Sequence, residues 1–148
     1  MPPDDFRHVP VLLDRVVQIF APVPPGWIVD ATLGGAGHSA ALLESRPDLR
    51  VLGLDQDDRA LAAATARLER FGDRAVVRHS RFDRLGDVVR DVLADDTREG
   101  VSGVLFDLGV SSPQLDEGDR GFSYRHDGPL DMRMDRTRSR TAADVVNQ

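Results

Sequence analysis

The sequence predicts an α/β domain built on a parallel sheet, and three observations support this. Short apolar runs alternate with helical periods along most of the chain: Trp27–Asp30, Leu49–Asp55, Ala75–His79 and Val101–Leu108. Strand–helix alternation at this pitch folds as right-handed βαβ units. The first run leads directly into a glycine cluster, Gly34-Gly35-Ala36-Gly37, and then into a helical segment. Strand, tight turn and helix N-terminus together form the unit with which α/β proteins hold nucleotides. Finally, three runs carry acids at or near their ends, Asp30, Asp55 and Asp107. Parallel strands with right-handed crossovers place those ends along one edge, where such sheets bind ligands. Singly, each acid is also a good cap or turn former; three on one rim favour a site.

The remaining elements follow in order. Val9–Phe20 reads as a helix, with Pro10 in its first turn and Val11, Leu12, Val16, Ile19 and Phe20 largely on one face. Pro22, Pro24, Pro25 and Gly26 end it. After the glycines a helix is expected from about His38 to Ser45, closed by Pro47. Asp57 is a good cap for the strong helical run Arg59–Leu68, and Gly72 stops that run. A third crossover helix is expected from Asp83 to about Ala94, carrying Leu85, Val88, Val89, Val92 and Leu93. Gly109 to Asp135 shows no convincing periodicity, and a loop this long in a compact domain is functional or disordered. Thr141 caps a helix that begins just before the chain stops.

At 148 residues, 41% apolar and 30% charged, the chain fits one domain with room for a core. A net charge of −6 argues against bulk attraction to nucleic acid and leaves only a local basic patch. All 19 basic residues are arginine, which excludes a Schiff-base or P-loop lysine. The absence of cysteine excludes disulfides, thiolate nucleophiles and cysteine-ligated zinc. Met1-Pro2-Pro3-Asp4-Asp5 lacks the features of a signal peptide, and no run is long enough to span a membrane. A cytoplasmic protein without membrane partners is expected.

Two ligand classes compete for the first turn. A dinucleotide fingerprint requires G-x-G-x-x-G, whereas this chain offers Asp30-x-x-x-Gly34-Gly35-x-Gly37. An acid ahead of the glycines suits S-adenosylmethionine, whose cationic methionine end can sit near Asp30 while Gly34 and Gly35 make room for its backbone. Asp55, 21 residues after Gly34, stands where an acid ending the second strand accepts ribose hydroxyls. An NAD-dependent oxidoreductase shares this start but needs a better glycine fingerprint and a hydride partner. A non-catalytic cofactor-binding or interaction module is the third reading.

Several blocks resemble the MraW-type ribosomal RNA methyltransferases. They are His8-Val9-Pro10-Val11-Leu12-Leu13-Asp14, Asp30–Ser39, Leu105–Asp116, Arg120-Gly121-Phe122-Ser123 and Asp127–Asp135. The resemblance implies a Rossmann-like class I S-adenosylmethionine-dependent methyltransferase with its strands in the order 3-2-1-4. It also implies methylation of cytidine N4 in the decoding region of small-subunit rRNA, with the 30S subunit as partner. By matching position, Ala36, Gly37 and His38 contact the cofactor, Asp55 meets the ribose, Phe82 lies beside the adenine, and Asp107 and Gln114 close the site.

Family members are longer, with a helical domain inserted into the sheet and further strands after it. The expectation is therefore that residues 1–135 are the N-terminal part of the methyltransferase domain, truncated after about four strands. Residues 136–148 then begin the inserted helical domain, and Val104–Leu108 is left as an uncovered edge.

The amine of cytosine is a poor nucleophile, and an acceptor for its N–H protons helps it react. Asp107, followed by the Gly109–Pro113 loop, is the candidate catalytic residue, although it is equally suited to serving the cofactor alone. Phe122 and Tyr124 are candidates for stacking on a flipped base, with loop core as the alternative. The four histidines are dispersed. Asp127, Asp131 and Asp135 read as a solvated turn in preference to a metal site. Arg133, Arg136, Arg138 and Arg140 read either as a solvent-facing run or as phosphate contacts.

Overall fold

The computed structural model describes residues 10–94 and 100–148. Four parallel strands, β1 (Gly26–Asp30), β2 (Leu49–Asp55), β3 (Ala75–His79) and β4 (Val101–Leu105), form one sheet in the order β3-β2-β1-β4. Helix α1 (Leu13–Phe20) precedes the sheet, and α2 (Gly37–Ser45), α3 (Asp58–Leu68) and α4 (Leu85–Val92) lie between successive strands.

The central strands are buried on both faces, as parallel sheets require. Their side chains alternate between two cores. Ile28, Leu49 and Val51 join Phe20, Leu42, Leu43, Ala64 and Leu68 on the face covered by α1, α2 and α3. Trp27, Val29, Leu52 and Leu54 face the other way, where Leu85, Val88, Val89 and Val92 of α4 cover them.

β2 and β3 fall where the sequence places them, and Asp57 caps α3 by accepting the Arg59 N–H at 3.1 Å. The other differences have local causes. α1 begins at Leu13, later than expected, and the expected Val9 lies outside the described residues. Leu12 takes a left-handed conformation (φ 56°). Pro10 packs over Gly37, and the Val11 carbonyl accepts the Nε2–H of His38 at 2.9 Å. Residues 10–12 thus cover the start of α2 instead of extending α1. The third crossover opens with a 3-10 turn, Phe82–Arg84, so α4 starts at Leu85.

β4 ends at Leu105, not Leu108. Its neighbour β1 stops at Asp30, and the next amides turn to the loop: Ala31 N–H donates to Leu105 O at 2.9 Å, and Asp107 N–H to Thr32 Oγ1 at 2.7 Å. β4 is an edge strand with Val101 and Val104 exposed, and Phe106 and Leu108 beyond it are exposed too.

The segment after β4 is more ordered than its composition suggests. Ser111 and Gln114 form a capping box at the start of a short helix, α5 (Ser112–Asp116), and a 3-10 turn follows at Gly118–Arg120. The final helix, α6 (Ala142–Val146), is capped by Thr141 as expected. Its first amides donate to Asp131 O and Leu130 O at 2.7 and 2.9 Å. No helix among the described residues is long and apolar enough to cross a membrane.

Gly53, in the middle of β2, fixes the glycine loop. Leu33 lies over it so closely that a Cβ at Gly53 would come within 2.6 Å of Leu33 Cδ1, and Leu33 N–H donates to Leu54 O at 2.9 Å. Gly53→Ala is therefore expected to displace Leu33 and destabilise the fold by about 1–3 kcal/mol, the usual cost of overpacking. Urea unfolding at equilibrium measures this, and a loss below about 0.5 kcal/mol, the range of neutral surface changes, rules it out.

Candidate functional site

The site is assembled on the carboxyl ends of β1 and β2, where the loop Ala31–Ala36 crosses to α2. The loop holds its shape through two left-handed residues, Gly34 (φ 53°) and Ala36 (φ 59°). The glycine adopts that conformation without a Cβ penalty. At Gly35 no atom lies within 4 Å of the position a Cβ would take, so the space beside the loop is open there.

Asp55 binds this loop to the next one. Its Oδ2 accepts the Gly34 N–H at 2.8 Å, and its Oδ1 accepts the Asp57 N–H at 2.9 Å. An ionised carboxylate offers about four acceptor positions. Two backbone amides leave capacity for the paired hydroxyls of a ribose.

Asp30 occupies a different place from the one expected of a rim acid. It is 2% exposed and lies beneath the loop, accepting the Ser39 hydroxyl at 2.6 Å and the Thr32 N–H at 3.3 Å. Burial pushes its carboxyl up to about 6, against the opposing effect of those two hydrogen bonds. Its present contacts shape the turn from below.

Ala36, Gly37 and His38 lie at the start of α2 under the Pro10–Leu12 segment, with the Ala36 and His38 side chains buried. Any ligand contact from this group falls to its backbone. Phe82 and Phe106 meet edge to face, ring centroids 5.9 Å apart and planes at 82°, and both rings remain about half exposed. Asp107 lies two residues beyond β4, exposed, its backbone anchored to Thr32.

Gln114 is buried, and its amide is occupied within the protein. Oε1 accepts the Ser111 N–H at 3.0 Å and Nε2 donates to Asp57 Oδ2 at 3.0 Å. The same Asp57 oxygen accepts from Arg120 at 2.6 Å, and that guanidinium also donates to Arg133 O and Met134 O at 3.3 Å. Burial pushes the Asp57 carboxyl up, but the hydrogen bonds from Arg120 and Gln114 outweigh it and hold it below its ordinary value. Sequence reasoning missed this cluster. The Ser111-x-x-Gln114 spacing was a readable signal for α5; nothing in the sequence marked Arg120 as the partner of Asp57.

Several of the other acidic and basic candidates are tied to partners within the segment after β4. Asp131 forms a two-pronged pair with Arg133, Asp135 accepts from Thr137, and Arg136 reaches Asp119. Among the described residues no cluster of three or more His, Asp or Glu side chains is arranged to hold a metal ion.

A parallel sheet with strand order 3-2-1-4, a glycine turn after β1 and an acid ending β2 define a Rossmann-like nucleotide-binding fold, and the family match below makes it that of a class I methyltransferase. The chain belongs to the MraW methylase family, whose sequence pattern matches residues 5–148. It is 52% identical over 145 residues to ribosomal RNA small subunit methyltransferase H of Symbiobacterium thermophilum, an alignment covering 97% of this chain and 44% of that protein. The protein of the same name from Thermobifida fusca is also 52% identical, over 95% of this chain and 42% of its own length. The chain thus spans less than half the length of these curated relatives. Among solved structures, an rRNA methylase from Streptococcus thermophilus superposes with a TM-score of 0.44 and 21% identity, covering 66% of this chain and 52% of that one.

The environment of Asp30 has a measurable consequence. Its folded-state pKa lies above the ordinary value, so between about pH 4 and pH 6 the native protein binds the proton more tightly than the unfolded chain. The contribution of Asp30 to stability therefore falls as pH rises through that interval, by on the order of 3 kcal/mol at 1.36 kcal/mol per pKa unit. Asp30→Asn can still accept the Thr32 N–H on its one oxygen and donate its amide to Ser39 Oγ, reversing that bond, and it removes the titration. The stability of wild type minus that of the variant is expected to decline between pH 4 and pH 7 in urea melts; a constant difference disproves the assignment.

Proposed function

We propose that this chain carries the donor-binding part of an S-adenosylmethionine-dependent methyltransferase that modifies N4 of a cytidine in the decoding region of small-subunit rRNA. The observation that carries the donor assignment is the bridge made by Asp55. Its carboxylate is fixed by Gly34 and Asp57 amides at the rim of the sheet, next to the open space beside Gly35. The family match supports methyl transfer, and the names of the curated relatives support rRNA of the small subunit as the acceptor. The 30S subunit is the partner and the cytoplasm the location this reading implies. Residues 1–135 form the donor-binding portion, and residues 136–148 open a helical insertion.

In this arrangement Asp55 accepts the ribose hydroxyls, and the loop Gly34-Gly35-Ala36-Gly37-His38 offers backbone close to the methionine portion. Asp30 supports that loop from below, and its buried carboxyl adds negative potential near the donor's cation. Phe82 flanks the adenine, with Phe106 setting its ring orientation. Gln114 closes the site from the far side of Asp57.

S-adenosylmethionine supplies an electrophilic methyl group on a sulfonium. On receiving that methyl from the sulfonium, the acceptor amine would have a proton to lose. Asp107 is exposed on a backbone pinned to Thr32, where its carboxylate can accept hydrogen bonds from the amine and take that proton. Positioning supplies much of the remaining rate.

Two substitutions test the reading. Asp55→Ala is expected to weaken S-adenosylmethionine binding by about 1.5–3 kcal/mol, the range for hydrogen bonds to a charged group. Isothermal titration calorimetry measures it, and an unchanged affinity removes Asp55 from the site. Asp107→Asn should slow single-turnover methylation of small-subunit rRNA by about a hundredfold or more, as for loss of a general base. A near-normal rate would leave Asp107 with the cofactor only.

A further inference from the structure

Residues 118–134 form a compact turn system held at its base. Gly121, left-handed at φ 75°, donates its N–H to Gly118 O at 3.1 Å, and Met132 N–H donates to Arg120 O at 3.1 Å. Gly128 lies against the Gly118 carbonyl so closely that a Cβ at either Gly121 or Gly128 would collide with backbone. From beneath, Arg120 pins the system to Asp57, two residues along the chain from Asp55.

On that base stands Tyr124, 86% exposed. The Arg125 guanidinium lies over its ring, 5.5 Å from the centroid, and the Arg125 N–H donates to Ser123 Oγ at 3.2 Å. Other arginines of the region are matched to carboxylates: Arg120 to Asp57, Arg133 to Asp131 and Arg136 to Asp119. Among the described residues Arg125 pairs with no carboxylate. An aromatic ring that is almost entirely in water, with an unneutralised cation stacked on it, has the composition of a nucleic-acid stacking site. Phe122, the other aromatic candidate, is partly buried.

We propose that Tyr124 and Arg125 form a stacking platform for an unpaired base of single-stranded RNA, with the guanidinium also meeting the adjacent phosphate. The proposal rests on the reading of the chain as acting on RNA. It goes beyond that reading by assigning the base contact to these two residues. The Asp57–Arg120 pair gives the platform its fixed place on the rim that carries Asp55.

Tyr124 is the single tyrosine of the chain, so incorporation of 3-fluorotyrosine labels this ring alone. Titration with a short cytidine-containing single-stranded RNA is expected to shift its fluorine resonance to saturation, while a duplex of the same sequence leaves it in place. By fluorescence anisotropy, Tyr124→Ala should lower affinity for the single strand about tenfold, and Tyr124→Phe should stay within about twofold. Arg125→Gln should reduce the slope of log K against log salt by about 0.7, one phosphate contact on a single strand.

Calorimetry should give Tyr124→Ala the wild-type affinity for S-adenosylmethionine, which confirms that the variant is folded. An unmoved fluorine resonance, an equal response to duplex, or an undiminished affinity of Tyr124→Ala would overturn the platform. Failure of the wild type to bind S-adenosylmethionine would count against the donor site instead, leaving the fluorine result to judge Tyr124.

Discussion

The structure depends on one carboxylate and the two amides it holds. Asp55 ends β2, the more buried neighbour of β1, and its oxygens take the N–H groups of Gly34 and Asp57. Those amides belong to the turn before α2 and the turn before α3. A single side chain thereby fixes the spacing of two loops that the chain separates by a whole helix and strand. Backbone N–H groups left unpaired near a buried rim are costly, so the acid satisfies the loops while remaining half open to a ligand. Gly53 supports the same arrangement from within the sheet, because only a missing side chain there lets Leu33 settle over β2.

From Asp55 the order spreads along Asp57. This residue caps α3 with one oxygen and gathers Gln114 and Arg120 on the other. Removing one partner of a buried charge pair leaves the other uncompensated, which is far worse than never having formed the pair. The post-β4 segment is poor in apolar residues, and this polar anchor takes the place of a hydrophobic core in holding it. It explains how a stretch rich in Gly, Asp and Arg can be positioned on the sheet rim without burying much apolar surface.

The elements set by local pattern were legible. β2, β3, the cap and body of α3, and the Thr141 cap of α6 follow from alternation, periodicity and capping chemistry. The strand order 3-2-1-4, implied by family resemblance, is the order found. Boundaries moved where a distant partner competed with the local preference. α1 lost its first turn because Val11 and Pro10 serve α2, and β4 lost its last residues because β1 had already ended.

The amino-acid sequence alone therefore determined the class of fold, the glycine turn and the acid at the end of β2, because each is written in residues close together in the chain. Tertiary structure decided what those residues touch. It placed Asp30 beneath the loop, joined Arg120 to Asp57 across 63 positions, and brought Phe82 to Phe106. Such contacts depend on which surfaces meet when the sheet closes, and no short-range pattern encodes them.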